Sequence, residues 1–132
     1  MDIIIEGIIR LILATGLSGL IGIERQESHK PAGLRTHVLV CIGATLVTLV
    51  GITYTTTDTA RIIQGVITGI GFLGAGSIIA GRHGVHGLTT AATIWVSAIL
   101  GVTVGAGLYE FAIVTTALVS IILRIKPIEK KL

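Results

Sequence analysis

The chain has 132 residues, which is room for one domain, and a formal net charge of +3. Hydrophobic residues make up 52% of it before its 18 glycines are counted, and charged residues make up only 13%, about half the share of an average soluble protein. With a mean hydropathy of +0.93, this composition excludes an ordinary soluble domain and predicts an integral membrane protein.

Five segments are long and apolar enough to cross a bilayer as helices. About 20 helical residues are needed to span a hydrocarbon layer of about 30 Å. Residues 62–81 and 87–109 are both of this length and contain no Asp, Glu, Lys or Arg. We predict one domain of the all-α class over residues 1–132, a bundle of five transmembrane helices at about 3–23, 34–54, 61–81, 88–106 and 108–125.

The first predicted span carries two charges. Glu6 and Arg10 lie one helical turn apart with the acid first, which suits an ion pair near one membrane surface. The alternative is a cation entry or a proton-coupled site, because ionisable side chains within a span usually face a bundle interior or water. Small residues form one face of the same span: Thr15, Ser18, Gly19 and Gly22.

The basic residues are concentrated on one side of the predicted membrane, where the loops and the tail hold eight of the ten. Basic residues in short loops favour the cytoplasm, so we predict an external amino terminus and a cytoplasmic tail. Tyr54 and Tyr109 then both lie at the outer interface, where amphipathic rings are enriched. The basic residues are topological anchors that can also contact anionic lipid heads, and we expect no nucleic-acid partner.

The third span contains GIGFLGAG, residues 69–76, which has the G-x-G-x-x-G spacing of a dinucleotide-binding turn. Such a turn needs a preceding strand and an acid about 20 residues further on, whereas the next acid here is Glu110. Two interpretations remain. The glycines allow close packing of a central helix, which we favour, or they mark an unwound stretch whose carbonyls line a polar site. Asp58 is placed to cap this helix, with Arg61 and Gln64 in its first two turns.

Small residues recur every four positions in the fourth span, at Thr93, Ser97, Gly101 and Gly105. This pattern predicts a tightly packed bundle and a homo-oligomer. The position of the hydroxyl row formed by Thr90, Thr93 and Ser97 distinguishes two functions. If these side chains line a pore, they favour transport; if they are buried against another helix, they favour a role in helix packing.

The chain shows no recognisable catalytic or metal-binding arrangement. His83 and His86 lie in a predicted loop with no carboxylate or cysteine close by, which favours solvated side chains over a metal site. No combination of serine, histidine and acid suggests hydrolysis, and no Walker sequence suggests ATP use. We therefore predict neither enzyme activity nor a cofactor, and we assign no metal site.

Four ordered motifs, IGIERQ, AGLRTHVLV, GIGFLGAGSI and GLTTAATIW, closely resemble the MgtC/SapB family of bacterial and archaeal inner-membrane proteins. The resemblance implies five membrane helices with the tail inside, a role in adaptation to low magnesium and, in intracellular pathogens, in virulence. Members were first described as magnesium transporters, and a later view favours action on other membrane machinery, such as restraint of proton-driven ATP synthesis. The positions that match the family motifs are Glu24, Arg25, Gly33, Leu34, Arg35, Thr36, Asp58, Arg61, Gly69, Gly71, Gly74, Gly76, Gly87, Thr90 and Trp95.

The chain departs from the family pattern in two respects. Many members carry a larger cytoplasmic domain after the fifth span, so a chain ending at Leu132 is expected to lack regulation through that domain. Relatives often have asparagine where this chain has Thr89 and cysteine where it has Val96. If those side chains matter to the family's role, this member lacks part of it.

Two functions follow from these observations. The first is a non-enzymatic inner-membrane protein of magnesium adaptation that acts through helix contacts with itself or another membrane protein. The second is a channel or transporter for Mg²⁺ or another cation, with Mg²⁺ as ligand or transported ion. The positive charge of Arg10 beside Glu6 disfavours binding of a cation, although a ring of Glu6 side chains in an oligomer would attract one. The residues of a candidate polar pathway are Glu6, Arg10, Asp58, Arg61, Gln64, Thr93 and Ser97.

Overall fold

The computed structural model describes residues 2–55, 58–81 and 84–125. His83 and the basic tail beyond Ile125 lie outside these ranges. The described chain forms five helices and one short antiparallel hairpin, in which Ile79 pairs with His86 and Gly81 with Gly84. The elements in chain order are α1 Ile3–Glu27, α2 Leu34–Tyr54, α3 Thr59–Gly76, β1 Ile79–Gly81, β2 Gly84–His86, α4 Leu88–Gly105 and α5 Tyr109–Arg124.

The predicted helical class is confirmed, and the number of helices in the described residues is the number predicted. Three of these helices, α1, α2 and α4, are long and apolar enough to cross a membrane. Spanning by α3 and α5, which have 18 and 16 residues, stays a prediction. The first two helices are antiparallel, since Gly7 lies against Leu49 and Gly22 against Leu34.

The third helix is shorter than predicted. We expected helix to residue 81, but α3 ends at Gly76 and the chain continues into the hairpin. Ser77 stops the helix because its hydroxyl donates to the Gly74 carbonyl at 2.7 Å and its N–H donates to the carbonyls of Leu73 and Gly74. The interpretation of GIGFLGAG as an unwound stretch is also wrong, since α3 is continuous through it.

The centre of the bundle is α4, in which ten of 18 residues are buried. It packs against all four other helices and most extensively against α2. The close approach depends on Gly101, because a Cβ there would lie 2.4 Å from the Cys41 carbonyl oxygen and 2.7 Å from the Ala44 Cβ. The predicted packing stripe of the fourth span therefore faces α2, as small residues in membrane helices generally face a neighbouring helix.

The glycine-rich α3 lies at the edge of the bundle. Its buried residues are Ile70 and Gly74. A Cβ built at Gly65, Gly69 or Gly76 meets no atom within 4 Å. The expectation of a central helix packed on every side is therefore wrong for α3 within one copy of this chain and applies to α4 instead.

Candidate functional site

The polar side chains that link different helices lie at opposite ends of the bundle. We call these the Arg10 end, where α1 begins and α4 ends, and the Arg25 end, where α1 ends and α4 begins. Arg10 contacts α4 and α5 at the first end. His37 of α2 contacts α4 near the second end.

At the Arg10 end, one guanidinium joins three helices. Arg10 forms the predicted ion pair with Glu6. It also donates from Nε to the Tyr109 hydroxyl at 3.0 Å and from an Nη to the Gly105 carbonyl oxygen at 2.6 Å. Gly105 is the last residue of α4, so its carbonyl has no partner within the helix and carries the negative end of the helix dipole. Arg10 therefore caps α4 and attaches it to α1 and α5.

A cavity of about 380 Å³ adjoins this cluster and is lined by Glu6, Arg10, Leu49 and Thr53, among others. Its charged lining consists of the Glu6–Arg10 pair, in which the Arg10 side chain is 17% exposed and the Glu6 side chain 37%. Because Arg10 neutralises Glu6, one copy of the chain does not offer a cation a free carboxylate here.

At the Arg25 end, Glu24 and Arg25 form an ion pair with each other. The Arg25 Nε lies 2.6 Å from Glu24 Oε2, and an Nη lies 3.1 Å from Oε1. The Ser28 hydroxyl also donates to Glu24 at 2.8 Å. Arg25 is only 4% exposed, and buried charges in proteins are generally paired in this way.

The motif AGLRTH begins α2 at the same end. Gly33 is the N-cap of α2, and the Leu34 N–H donates to the Gln26 side-chain oxygen at 3.3 Å. Arg35 is exposed and Thr36 half-buried. The motif therefore joins α1 to α2 and presents one cation at the surface.

His37, the next residue, was missed as a functional candidate. It is fully buried, with Nδ1 2.8 Å from the Gly33 carbonyl oxygen and Nε2 3.0 Å from the Thr93 hydroxyl of α4. The available signal was a polar stripe on α2 at helical spacing: His37, Cys41, Thr45 and Thr48, all fully buried. Thr45 and Thr48 bond back to carbonyls of their own helix, so His37 is the member whose side chain bonds across to α4.

The candidate polar pathway is divided among three places. Glu6 and Arg10 lie at one end, while Thr93 and Ser97 are buried within the bundle beside α2. Ser97 Oγ has no hydrogen-bond partner among the described residues. The remaining residues are exposed: Asp58 is the N-cap of α3, and Arg61 and Gln64 lie in its first two turns. Asp58 performs its predicted capping role, because its carboxylate accepts from the Ala60 N–H at 3.0 Å.

The other motif positions are mainly structural. Gly74 lies near Ala91, whereas Gly69, Gly71 and Gly76 are exposed. Gly87 has φ +92°, and a Cβ there would lie 2.1 Å from the Ser77 carbonyl oxygen, so the start of α4 requires glycine. Trp95 is about half exposed, Thr89 is exposed and Val96 half-buried. In residues 2–55, 58–81 and 84–125, no three His, Cys, Asp or Glu side chains come together as metal ligands.

An apolar outer surface, three membrane-length helices and buried polar contacts between helices define a helical integral membrane protein. The chain belongs to the MgtC family, whose family model matches residues 11–131. It is 43% identical over 129 residues to the Escherichia coli (strain K12) protein named "Putative magnesium transporter YhiD", covering 91% of this chain and 60% of YhiD.

Two further relatives are similar over most of the chain. SrpB of Synechococcus elongatus is 41% identical over 122 residues, which are 81% of this chain and 67% of SrpB. MgtC of Brucella abortus is 47% identical over 104 residues, which are 78% of this chain and 44% of MgtC. The chain thus spans only part of the length of these relatives. No solved structure matches it.

Proposed function

We propose that the chain is an inner-membrane protein of magnesium adaptation that acts without catalysis, through contacts between its helices and those of a second copy of the chain. Membership of the MgtC family and the reference to magnesium in the name of YhiD support the physiological setting. In this proposal the amino terminus lies outside and the tail in the cytoplasm, as the distribution of basic residues favours.

The observation that carries the proposal is the outward face of α3. Phe72 on this helix is 82% exposed, and Gly65, Gly69 and Gly76 share its face at helical spacing. None of these glycines has an atom of the described chain within reach of an added Cβ. Lipid tails supply no hydrophobic force between helices, so small residues at a face favour association by allowing two backbones to approach closely. In this proposal, a second copy of α3 packs against this face.

The position of the hydroxyl row supports the same function. Thr90, Thr93 and Ser97 are buried, and Thr93 bonds to His37 of α2. Burial against another helix is the arrangement that favours packing over conduction. At the Arg10 end, the cation of Arg10 accompanies the Glu6 carboxylate, which disfavours entry of Mg²⁺ between them.

Oligomer size in lipid tests the proposal. Labelled protein in liposomes should show two or more copies per assembly by single-molecule photobleaching, and Gly69→Leu should convert the assemblies to monomers. Gly16→Leu is the matched control, because Gly16 is an exposed glycine within α1 that likewise has no neighbour within 4 Å. Monomeric wild-type protein, or equal effects of the two substitutions, would overturn the assignment.

Mg²⁺ flux into the same liposomes tests the transport function directly. We expect flux no greater than in protein-free liposomes. Flux that Glu6→Gln reduces would identify a transporter with Glu6 in its pathway and would contradict the proposal.

A further inference from the structure

A cavity of about 390 Å³ opens at the Arg25 end between the α1–α2 connection and the start of α4. Its lining includes Arg25, His29 and Lys30 on one side and His86, Leu88 and Thr90 on the other. We propose that this cavity is a binding site for a phosphoryl oxyanion, carried either by a lipid headgroup or by free phosphate. This site is separate from the outward face of α3 on which the proposed function rests.

The first turn of α4 supplies backbone donors to the cavity. The first hydrogen bond within the helix runs from the Ala91 N–H to the Gly87 carbonyl at 2.8 Å. The N-cap is glycine and provides no side-chain acceptor. The N–H groups of Leu88, Thr89 and Thr90 therefore make no hydrogen bond within the described chain. Free amides at the start of a long helix favour an anion through both hydrogen bonding and the helix dipole.

Thr90 provides the second, independent indication. It is 1% exposed and lines the cavity, yet its hydroxyl makes no hydrogen bond to any described residue. Other buried threonines of the bundle, such as Thr45 and Thr116, donate to carbonyls of their own helices. Because Thr90 lines the cavity, an oxyanion there would accept a hydrogen bond from its hydroxyl.

The cations around the cavity match a multiply charged oxyanion. Arg25 uses two of its nitrogens, Nε and one Nη, on Glu24, which leaves donors for a ligand because a guanidinium has five N–H groups. Lys30 is exposed and lines the cavity. Its backbone is held by hydrogen bonds from His29 N–H to the Gln26 carbonyl and from Lys30 N–H to the Arg25 carbonyl.

Several convergent donors suit a phosphoryl group better than a halide, because phosphoryl oxygens accept in several directions. The cavity is about ten times larger than the volume of about 30 Å³ that one water occupies in the liquid. A phosphoryl group therefore fits together with part of the molecule that carries it.

Binding in nanodiscs tests the site and separates the two sources of phosphate. The full chain is placed in neutral phosphatidylcholine discs, and the affinity for radiolabelled inorganic phosphate is measured. In parallel, discs containing phosphatidylglycerol are examined by native mass spectrometry for lipid retained by the protein. Binding in the first arm identifies free phosphate, and retention in the second identifies a headgroup; either result supports the site.

Four variants locate the binding. Thr90→Val keeps the side-chain shape and should weaken binding by about fivefold through loss of one hydrogen bond, whereas Thr90→Ser should retain it. Lys30→Gln should weaken binding by a similar factor, and Arg35→Gln, which removes one exposed charge at the same end, should change it less than twofold. Circular dichroism verifies that each variant is folded.

Three results would overturn the inference. They are no binding in either arm, unchanged binding by folded Thr90→Val, or equal weakening by Lys30→Gln and Arg35→Gln. The last result would mean that the basic surface attracts anions without a defined site.

Discussion

Replacement of Arg10 by methionine tests whether this one side chain stabilises the packing of α1, α4 and α5. Methionine keeps the unbranched stem but removes the bonds to Tyr109 and Gly105 and the ion pair with Glu6. Hydrogen bonds to charged groups contribute about 1.5–3 kcal/mol each in proteins, whereas side-chain hydrogen bonds between membrane helices average only about 0.6 kcal/mol. The partly exposed ion pair adds at most about 1 kcal/mol. We therefore expect a loss of about 2–4 kcal/mol in unfolding free energy.

The loss can be measured by reversible unfolding of the purified protein in mixed micelles with increasing SDS, followed by circular dichroism. Glu6→Gln is the control, since it weakens the ion pair and leaves both bonds to α4 and α5; it should cost no more than about 1 kcal/mol. Tyr109→Phe removes one bond and should show coupling with Arg10→Met in a double-mutant cycle. If Arg10→Met costs no more than Glu6→Gln, the contacts with Tyr109 and Gly105 contribute nothing and the reasoning is refuted.

Three further substitutions test the packing of α4 by the same unfolding measurement. Gly101→Ala should lower the unfolding free energy by about 1–3 kcal/mol, because its Cβ would lie 2.4 Å from the Cys41 carbonyl oxygen; a gain would mean that α2 and α4 can separate freely. Ser97→Ala should be neutral or slightly stabilising, because it removes a buried hydroxyl without a partner in the described chain; a loss above about 1 kcal/mol would reveal a hydrogen bond. Gly87→Ala should lower the unfolding free energy more than Gly84→Ala. Both glycines have positive φ, but of the two only Gly87 has backbone atoms within reach of an added Cβ. Equal losses would mean that the positive φ alone accounts for the destabilisation.

The helices could be predicted from the sequence because long segments of apolar residues, broken by short polar loops, are typical of membrane helices. The predicted second span coincides with α2. The predicted fourth span is one residue longer than α4 at its end, and the predicted fifth span is one residue longer than α5 at each end. The third span was too long because hydropathy does not distinguish an apolar helix from an apolar strand. Ile79 belongs to β1, and the local signal for the end of α3 is the cap at Ser77.

The candidate site was predictable only where it is local in sequence. Glu6 and Arg10 are four residues apart, so helical periodicity brings them together. The partners of Arg10 in α4 and α5 depend on the register in which the helices pack along one another. Residue spacing within one helix does not predict that register. The bond between His37 and Thr93, 56 residues apart, depends on the same register. Glycine content was similarly ambiguous: Gly101 lies against α2 whereas Gly69 faces outward, although both belong to small-residue patterns.

The two ends of α4 explain why charge is placed where it is in this bundle. A helix favours a cation at its carboxyl end and an anion at its amino end. At the carboxyl end the chain supplies that cation itself, because Arg10 binds the Gly105 carbonyl. At the amino end the described chain supplies no anion to the first turn: the N-cap is glycine, and the Glu24 carboxylate is bonded to Arg25 and Ser28. Arg25 and Lys30 line the cavity there, and their positive charge adds to that of the helix end rather than offsetting it. An oxyanion in the cavity would complete at this end of α4 the neutralisation that Arg10 provides at the other.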